Sequence, residues 1–316
     1  MRFNVGGTVN GARFLSIETA FMEWFVAGLM FAVFNAITML INQHYRLDGH
    51  LISGLRGIFV GFIYIPLMFV VEFPHGAYFW SLILAEGALS AFFNARLYSS
   101  SAIYGAAATS TISVLAIAFS TVFWWLADFS QFVSLLKHPA VLFGIIAALG
   151  LVVWGFRSFS AAQKTTTKRG AVSYMMPAVV VFAAMLVIRK DAMDAVNFYS
   201  ATVYYGGVSI FISGVFNMGV YTRKHGVDFL ERKTDSHKVI KAGILMGVAS
   251  ATTVFFGNLS SASVPNPAYI SALTLLSPLV IFAFDRYLGH SNGNKKIPLI
   301  PCLIMIFGLF LLVLLP

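Results

Sequence analysis

The sequence predicts an all-α, polytopic membrane protein of ten transmembrane helices arranged as two inverted five-helix repeats. Three observations carry that prediction. Of the 316 residues, 59% are hydrophobic and only 10% are charged, against about a quarter charged in soluble domains. Runs long enough to cross about 30 Å of hydrocarbon as helices, which takes about 20 residues each, can be drawn ten times. One long polar joint, "RSFSAAQKTTTKRG" at residues 157–170, leaves five runs on each side of it.

In chain order the spans cover residues 21–42, 51–71, 78–98, 102–126, 140–156, 174–188, 199–221, 239–258, 268–287 and 297–315. The first is full length and follows some twenty mixed residues, which fits a retained helix better than a cleaved secretory signal. Spans three and four meet at "SSSAIYGAAATS", which has few charges to mark a turn. Pro66, Pro177 and Pro278 fall inside spans two, six and nine and predict kinks there. Short echoes link the halves: "RLD" at 46–48 closes span one as "RKD" at 189–191 closes span six, and "FFNARLYSSSA" at 92–102 resembles "FFGNLSSAS" at 255–263. Because five is odd, a second copy enters from the opposite side, giving an inverted repeat. The two repeats are assigned to residues 1–160 and 171–316.

The net charge is +9. The basic residues cluster between apolar runs, a pattern that sets topology and attracts anionic lipid head groups rather than nucleic acid. The stretches after spans one, three, five, seven and nine hold most of them, and the other side holds only Arg2, Arg13, Lys137, Arg189 and Lys190. On the positive-inside rule this puts both termini outside. The single Cys302 leaves no disulfide framework and no multi-thiolate metal site. No H-E-x-x-H, G-x-S-x-G or P-loop pattern occurs. In "HYRLDGH" at 44–50 a helix would not align the two histidines. The expectation is no enzyme, no metal and no cofactor.

Polar residues inside the spans are the candidate site. In span three, Glu86, Ser90, Asn94 and Tyr98 recur at every fourth position, one stripe that drifts only about 40° per step around a helix. Gly87 and Ala91 beside it are small, which lets a helix or ligand approach. A carboxylate at mid-membrane costs about 2.5–3.5 kcal/mol on insertion scales, so it should face the bundle interior or a water-filled cavity. There Glu86 could carry a proton, or serve as a structural ion-pair partner with Arg56 the obvious candidate. Arg56 itself reads equally as packing anchor or substrate contact.

Span one carries Glu23, Ala27, Phe31 and Asn35, with Thr38 and Asn42 near the same face. Glu23 is close enough to the end to stabilise the helix N-terminus, and Asn35 is the cavity candidate. Span eight carries Ser250, Thr253, Gly257 and Ser261, with Thr252 and Asn258 beside them; such hydroxyls commonly bond their own helix backbone. Tyr204 and Tyr205 in span seven offer aromatic contacts to an organic substrate. The substrate-binding set is Glu86, Asn94, Ser90, Asn35, Arg56, Tyr204 and Asn258. GxxxG pairs at Gly57/Gly61 and Gly243/Gly247 permit close helix contact and leave a homodimer open.

Two five-span halves, Arg56 near the start of span two in "HLISGLRGIFVGF", and the Ser-Pro of "ISALTLLSPLVIF" in span nine resemble the drug/metabolite transporter superfamily, EamA-type branch. The resemblance covers nearly the whole chain as architecture. It implies a secondary-active transporter, an exporter of a small organic metabolite working by alternating access, with spans one, three, six and eight lining the cavity. It implies an inner (plasma) membrane location and both termini in the cytoplasm, opposite to the charge count, so sidedness stays open. The family's repeats commonly end with an acidic residue after Leu-Gly. Here "RYLGHSNG" has His290 instead, and the first half lacks both the Pro and the acid, which leaves the substrate undetermined. The partners expected are a small-molecule substrate, membrane lipids and protons. Two readings from other classes stand beside it: a membrane-embedded enzyme acting on a lipid-linked substrate, and a non-transporting partner subunit, which a cavity closed by side chains would favour.

Overall fold

A computed structural model describes residues 17–112, 115–162, 169–226, 233–264, 266–274, 276–287 and 299–314. Every regular element among the described residues is helical. In order these are α1 (Ile17–Tyr45), α2 (Gly49–Met68), α3 (Ala77–Tyr104), α4 (Ala106–Ile112), α5 (Ala116–Ala127), α6 (Phe129–Leu136), α7 (Pro139–Ala162) and α8 (Arg169–Ala195). Then come α9 (Phe198–Ser200), a π-helical turn (Ala201–Tyr205), α10 (Gly206–His225), α11 (Lys233–Ser263), α12 (Pro267–Thr274), α13 (Ser277–Tyr287) and α14 (Leu299–Leu314).

Among the described residues, seven segments are long and apolar enough to cross a membrane: Trp24–Tyr45, Gly49–Met68, Pro139–Ser158, Gly170–Ala195, Phe198–His225, Ser236–Ser263 and Pro267–Phe284. The chain is an integral membrane protein. The other three expected spans depart from that standard for different reasons. Helix α3 is 28 residues long, but its polar stripe makes it less apolar. The described parts of span four are α4 and α5, on either side of residues 113–114, and α5 turns by 100° into α6. The described part of span ten, α14, has 16 residues. Span nine, one of the seven, is described as α12 and α13 on either side of residue 275. Pro278 lies in the first turn of α13, where a missing N–H costs nothing, so it starts a helix rather than kinking one.

Helix α6 has no buried residue, and Phe129, Val133 and Leu136 are exposed. A short helix with exposed apolar residues is of the kind that can lie along a membrane interface. The Asp128 carboxylate accepts from the Gln131 N–H at 3.2 Å to start it, and the Trp124 indole N–H donates to the Gln131 side-chain oxygen across the bend. Trp124 is buried.

Two helix starts have one geometry. Asp48 (φ −55°, ψ 137°) caps α2 by accepting from the N–H groups of His50 at 2.8 Å and Leu51 at 3.3 Å. Asn197 (φ −54°, ψ 136°) caps α9 by accepting from the Tyr199 N–H at 3.0 Å. Both are the polar cap residues that orphan N–H groups select, and the cap is the role of Asp48 in "HYRLDGH". The echo between Arg46 and Arg189 does not hold in three dimensions. Arg46 is exposed in the turn after α1 at φ 52°, whereas Arg189 is buried inside α8, which runs on to Ala195.

In the bundle, α1 lies along α11 and α3 along α8; α2 packs on α10 and α11, and α10 on α3. Helices α7 and α14 pair with each other. The α2–α10 crossing is set by glycine: a Cβ on Gly57 would stand 2.4 Å from the Gly214 Cα. Gly243 and Gly247 of α11 receive Phe59 of α2. Both GxxxG pairs are thus spent on contacts within the chain, where small residues let backbones approach.

Gly57→Ala is expected to lower stability by about 1–3 kcal/mol, because overpacking meets backbone that cannot yield. Gly219, with nothing within 4 Å of an added Cβ, gives the control: Gly219→Ala is neutral or gains up to about 1 kcal/mol of helix propensity. Thermal unfolding of the two purified variants checks this, and equal melting temperatures would contradict the crossing.

Candidate substrate cavity

At the bundle centre, polar side chains hold the helices apart around a small cavity of about 40 Å³. It is lined from α1, α3, α8 and α11, the helices the resemblance implied, with Arg56 entering from α2 and Ile210 from α10. Four of the seven sequence-derived residues reach it: Asn35, Arg56, Ser90 and Asn94. The volume is room for a water or two, each taking about 30 Å³. Larger hollows of about 430 and 510 Å³ open on the outer surface between α2 and α11 and between α5 and α7. Their walls are mostly apolar, with Thr202 and Thr252 in the first and Thr121 and Arg157 in the second.

The span-three stripe forms as one buried face. Glu86 and Ser90 are 0% exposed, Asn94 4% and Tyr98 2%. Asn94 Nδ2 donates to the Ser90 carbonyl at 2.8 Å and to Ser90 Oγ at 2.7 Å, and Asn42 Nδ2 donates to the Tyr98 carbonyl at 2.7 Å, tying α1 to α3. On the facing helix, Thr253 and Ser261 bond back to their own backbone as expected, at 2.8 and 2.7 Å.

Ser250 does not. It accepts from Arg56 Nε at 2.7 Å, and this is where the expected Arg56–Glu86 pair fails. Arg56 is held by α11, with its guanidinium over the Tyr98 ring at 5.9 Å. The cation nearest Glu86 is Arg189 on α8, Nη2 to Oε1 3.7 Å. That is longer than the 2.7–2.9 Å of a charge-assisted hydrogen bond. Neither Glu86 oxygen makes a hydrogen bond of normal geometry among the described residues. Arg189 also lies over the Phe31 ring at 5.7 Å. It lines the cavity, and Glu86 does not.

Three of the seven candidate residues do not line the cavity. Glu86 is absent from the cavity lining, and its partner Arg189 of α8 is part of it. Tyr204 turns away: its hydroxyl donates to the Met68 carbonyl at 3.0 Å, and its ring meets Phe73 and Trp80. The next residue, Tyr205, is 1% exposed; its hydroxyl lies near Glu86 and Arg189 but makes no hydrogen bond of normal geometry among the described residues. Asn258 is buried away from the cavity and its Nδ2 donates to the Thr202 carbonyl of the π turn at 3.3 Å. The Glu23 side chain lies outside the described residues.

Arg189 escaped the sequence reading because span six was ended at Ile188, before the charged run "RKD". The signal that marks it is length: a span stopping there has 15 residues, short of the bilayer. Lys190 beside it is also buried, donating to Asp194 Oδ1 at 2.9 Å and to the Ala262 carbonyl.

No family model and no curated protein matches the sequence. Seven chains of solved structures match. One, described only as "Crystal structure of protein", is similar with a TM-score of 0.63 at 10% identity, over 94% of this chain and 97% of that chain. The likeness is one of fold.

Arg189→Met is expected to destabilise the protein by about 3–5 kcal/mol, because it strands a buried carboxylate. Adding Glu86→Gln recovers most of the loss, since removing a whole buried pair is close to neutral. Melting temperatures of the two single variants and the double variant decide; purely additive losses would contradict the pair.

Proposed function

We propose that the protein is a secondary-active transporter of the drug/metabolite transporter superfamily, EamA-like, in the inner (plasma) membrane. It exports a small organic metabolite by rocking two inverted five-helix halves, residues 1–160 and 171–316, and proton exchange at Glu86 couples the step. The observation that carries this reading is the central polar cavity, walled by helices of both halves and backed by a buried ion pair. Ionisable groups at that depth are costly and mark solute or proton pathways, and carriers built from inverted repeats bind near the midplane where the repeats meet.

Pairs of equivalent positions support the duplication. Asp48 and Asn197 open spans two and seven with the same cap geometry. Eight residues on from them come Arg56 and Tyr205. Asn94 and Asn258 stand in spans three and eight, and eight residues before them come Glu86 and Ser250. Arg56 bonds Ser250, and Tyr205 meets Glu86, so the same two slots come together across the bundle in both orders. The helix packing obeys the same exchange: α1 on α11 answers α8 on α3, and α2 on α11 answers α10 on α3.

Glu86 is the only buried carboxylate among the described residues, and protonating it releases Arg189 toward the cavity. A non-transporting partner subunit is the second reading, and the small volume of the cavity favours it. Solute efflux from proteoliposomes separates the two. The carrier reading expects measurable counterflow that depends on pH, and a Glu86→Gln variant of wild-type abundance that has lost the pH dependence. Unchanged rate and pH dependence in Glu86→Gln dismiss the coupling; absent counterflow across a metabolite panel dismisses the carrier.

A further inference from the structure

We propose that the cavity selects a small organic anion, bound through its carboxylate or phosphate oxygens by Arg56 and Arg189 together. The inference rests on the carrier reading and gives its substrate a chemical class. Arginine stays protonated at any pH a cell reaches, so two fixed cations line a cavity of about 40 Å³. They are 7% and 6% exposed. Glu86 faces Arg189, and no carboxylate among the described residues lies within ion-pair distance of Arg56. With Glu86 ionised the centre carries one positive charge in excess.

The donors point the same way. Arg56 Nη1 and both Nε and Nη1 of Arg189 are buried and make no hydrogen bond among the described residues. Buried N–H groups on a cation that lack acceptors are costly, and the groups that match a guanidinium fork are the paired oxygens of a carboxylate or phosphate. A cation would be repelled, and a neutral solute would leave the excess charge uncompensated. The rest of the wall sets the body of the ligand. Phe31, Phe93, Phe182 and Met185 line the cavity, with Phe93 and Phe182 stacked at 4.9 Å. An apolar or aromatic body fits there once the helices part, because the closed volume admits only water.

The test uses the full chain in detergent and four probes of one ring size: benzoate, phenyl phosphate, benzamide and benzylamine, at constant ionic strength. A ligand of the folded state raises the melting temperature with the logarithm of its concentration. Benzoate or phenyl phosphate, or both, should do so, and which of them does names the headgroup. Benzamide and benzylamine should not. Arg56→Gln and Arg189→Gln should each weaken the anion response at least tenfold, while Arg56→Lys retains part of it. Arg56→Met gives up the bond to Ser250 but also removes the uncompensated charge, so without ligand it should melt within a few degrees of wild type; a large drop would make Arg56 chiefly a structural anchor and overturn the proposal. So would an equal response to benzamide, an anion response that survives both Gln variants, or no anion response at all. Counterflow of labelled benzoate or phenyl phosphate is measured separately: anion binding without counterflow keeps the anion site and removes the carrier, and counterflow confined to neutral solutes does the reverse.

Discussion

The fold depends on how charge is kept inside a hydrocarbon-facing bundle. Glu86 on α3 and Arg189 on α8 meet at 3.7 Å with both side chains out of solvent. Neither could face lipid at acceptable cost, so the two helices must lie along each other with these faces inward. Arg56 adds a third buried charge and draws α11 to α2 through Ser250. Around these groups Ser90, Asn94, Asn35 and Thr38 supply a polar lining. The centre is held open by side chains that need water or a ligand, instead of closing as an apolar core would.

Elsewhere the bundle closes tightly, and glycine is the means. The backbones of α2 and α10 touch at Gly57 and Gly214, and Phe59 seats against Gly243 and Gly247. The crossings leave no room for a larger side chain, whereas the polar centre keeps α1, α3, α8 and α11 apart around the cavity. The π turn at Ala201–Tyr205 lies beside that centre. Wide turns of this kind are common at functional sites, and this one carries Tyr205 inward to Glu86 and Arg189 while Tyr204 anchors to Met68.

Much of this was legible in the sequence, and the failures have physical causes. The fourfold spacing of Glu86, Ser90, Asn94 and Tyr98 placed a polar face on one helix, because helical periodicity is a local property. The glycine pairs likewise marked close crossings. The partner of Glu86 was not legible: pairing between helices is set by tertiary packing, and cutting span six at a charged run removed Arg189 from view. Choosing Tyr204 over Tyr205 failed because the two differ by about 100° around a helix, and nothing local says which points inward. The turn at the end of span four was hidden for a related reason. Continuous hydropathy looks the same whether a run is one helix or two, and the 100° turn into α6 has only Asp128 to announce it.

The central claim is that the cavity opens to each side of the membrane in turn. Ser90→Cys in a Cys302→Ser background, probed with a membrane-impermeant thiol reagent on right-side-out and inside-out vesicles, tests it most directly. The account predicts labelling of Cys at that position from both sides, at rates that shift in opposite directions when the transported solute is supplied on one side. Labelling from one side only, or from neither under any condition, would contradict alternating access and leave the buried charges as parts of a static bundle.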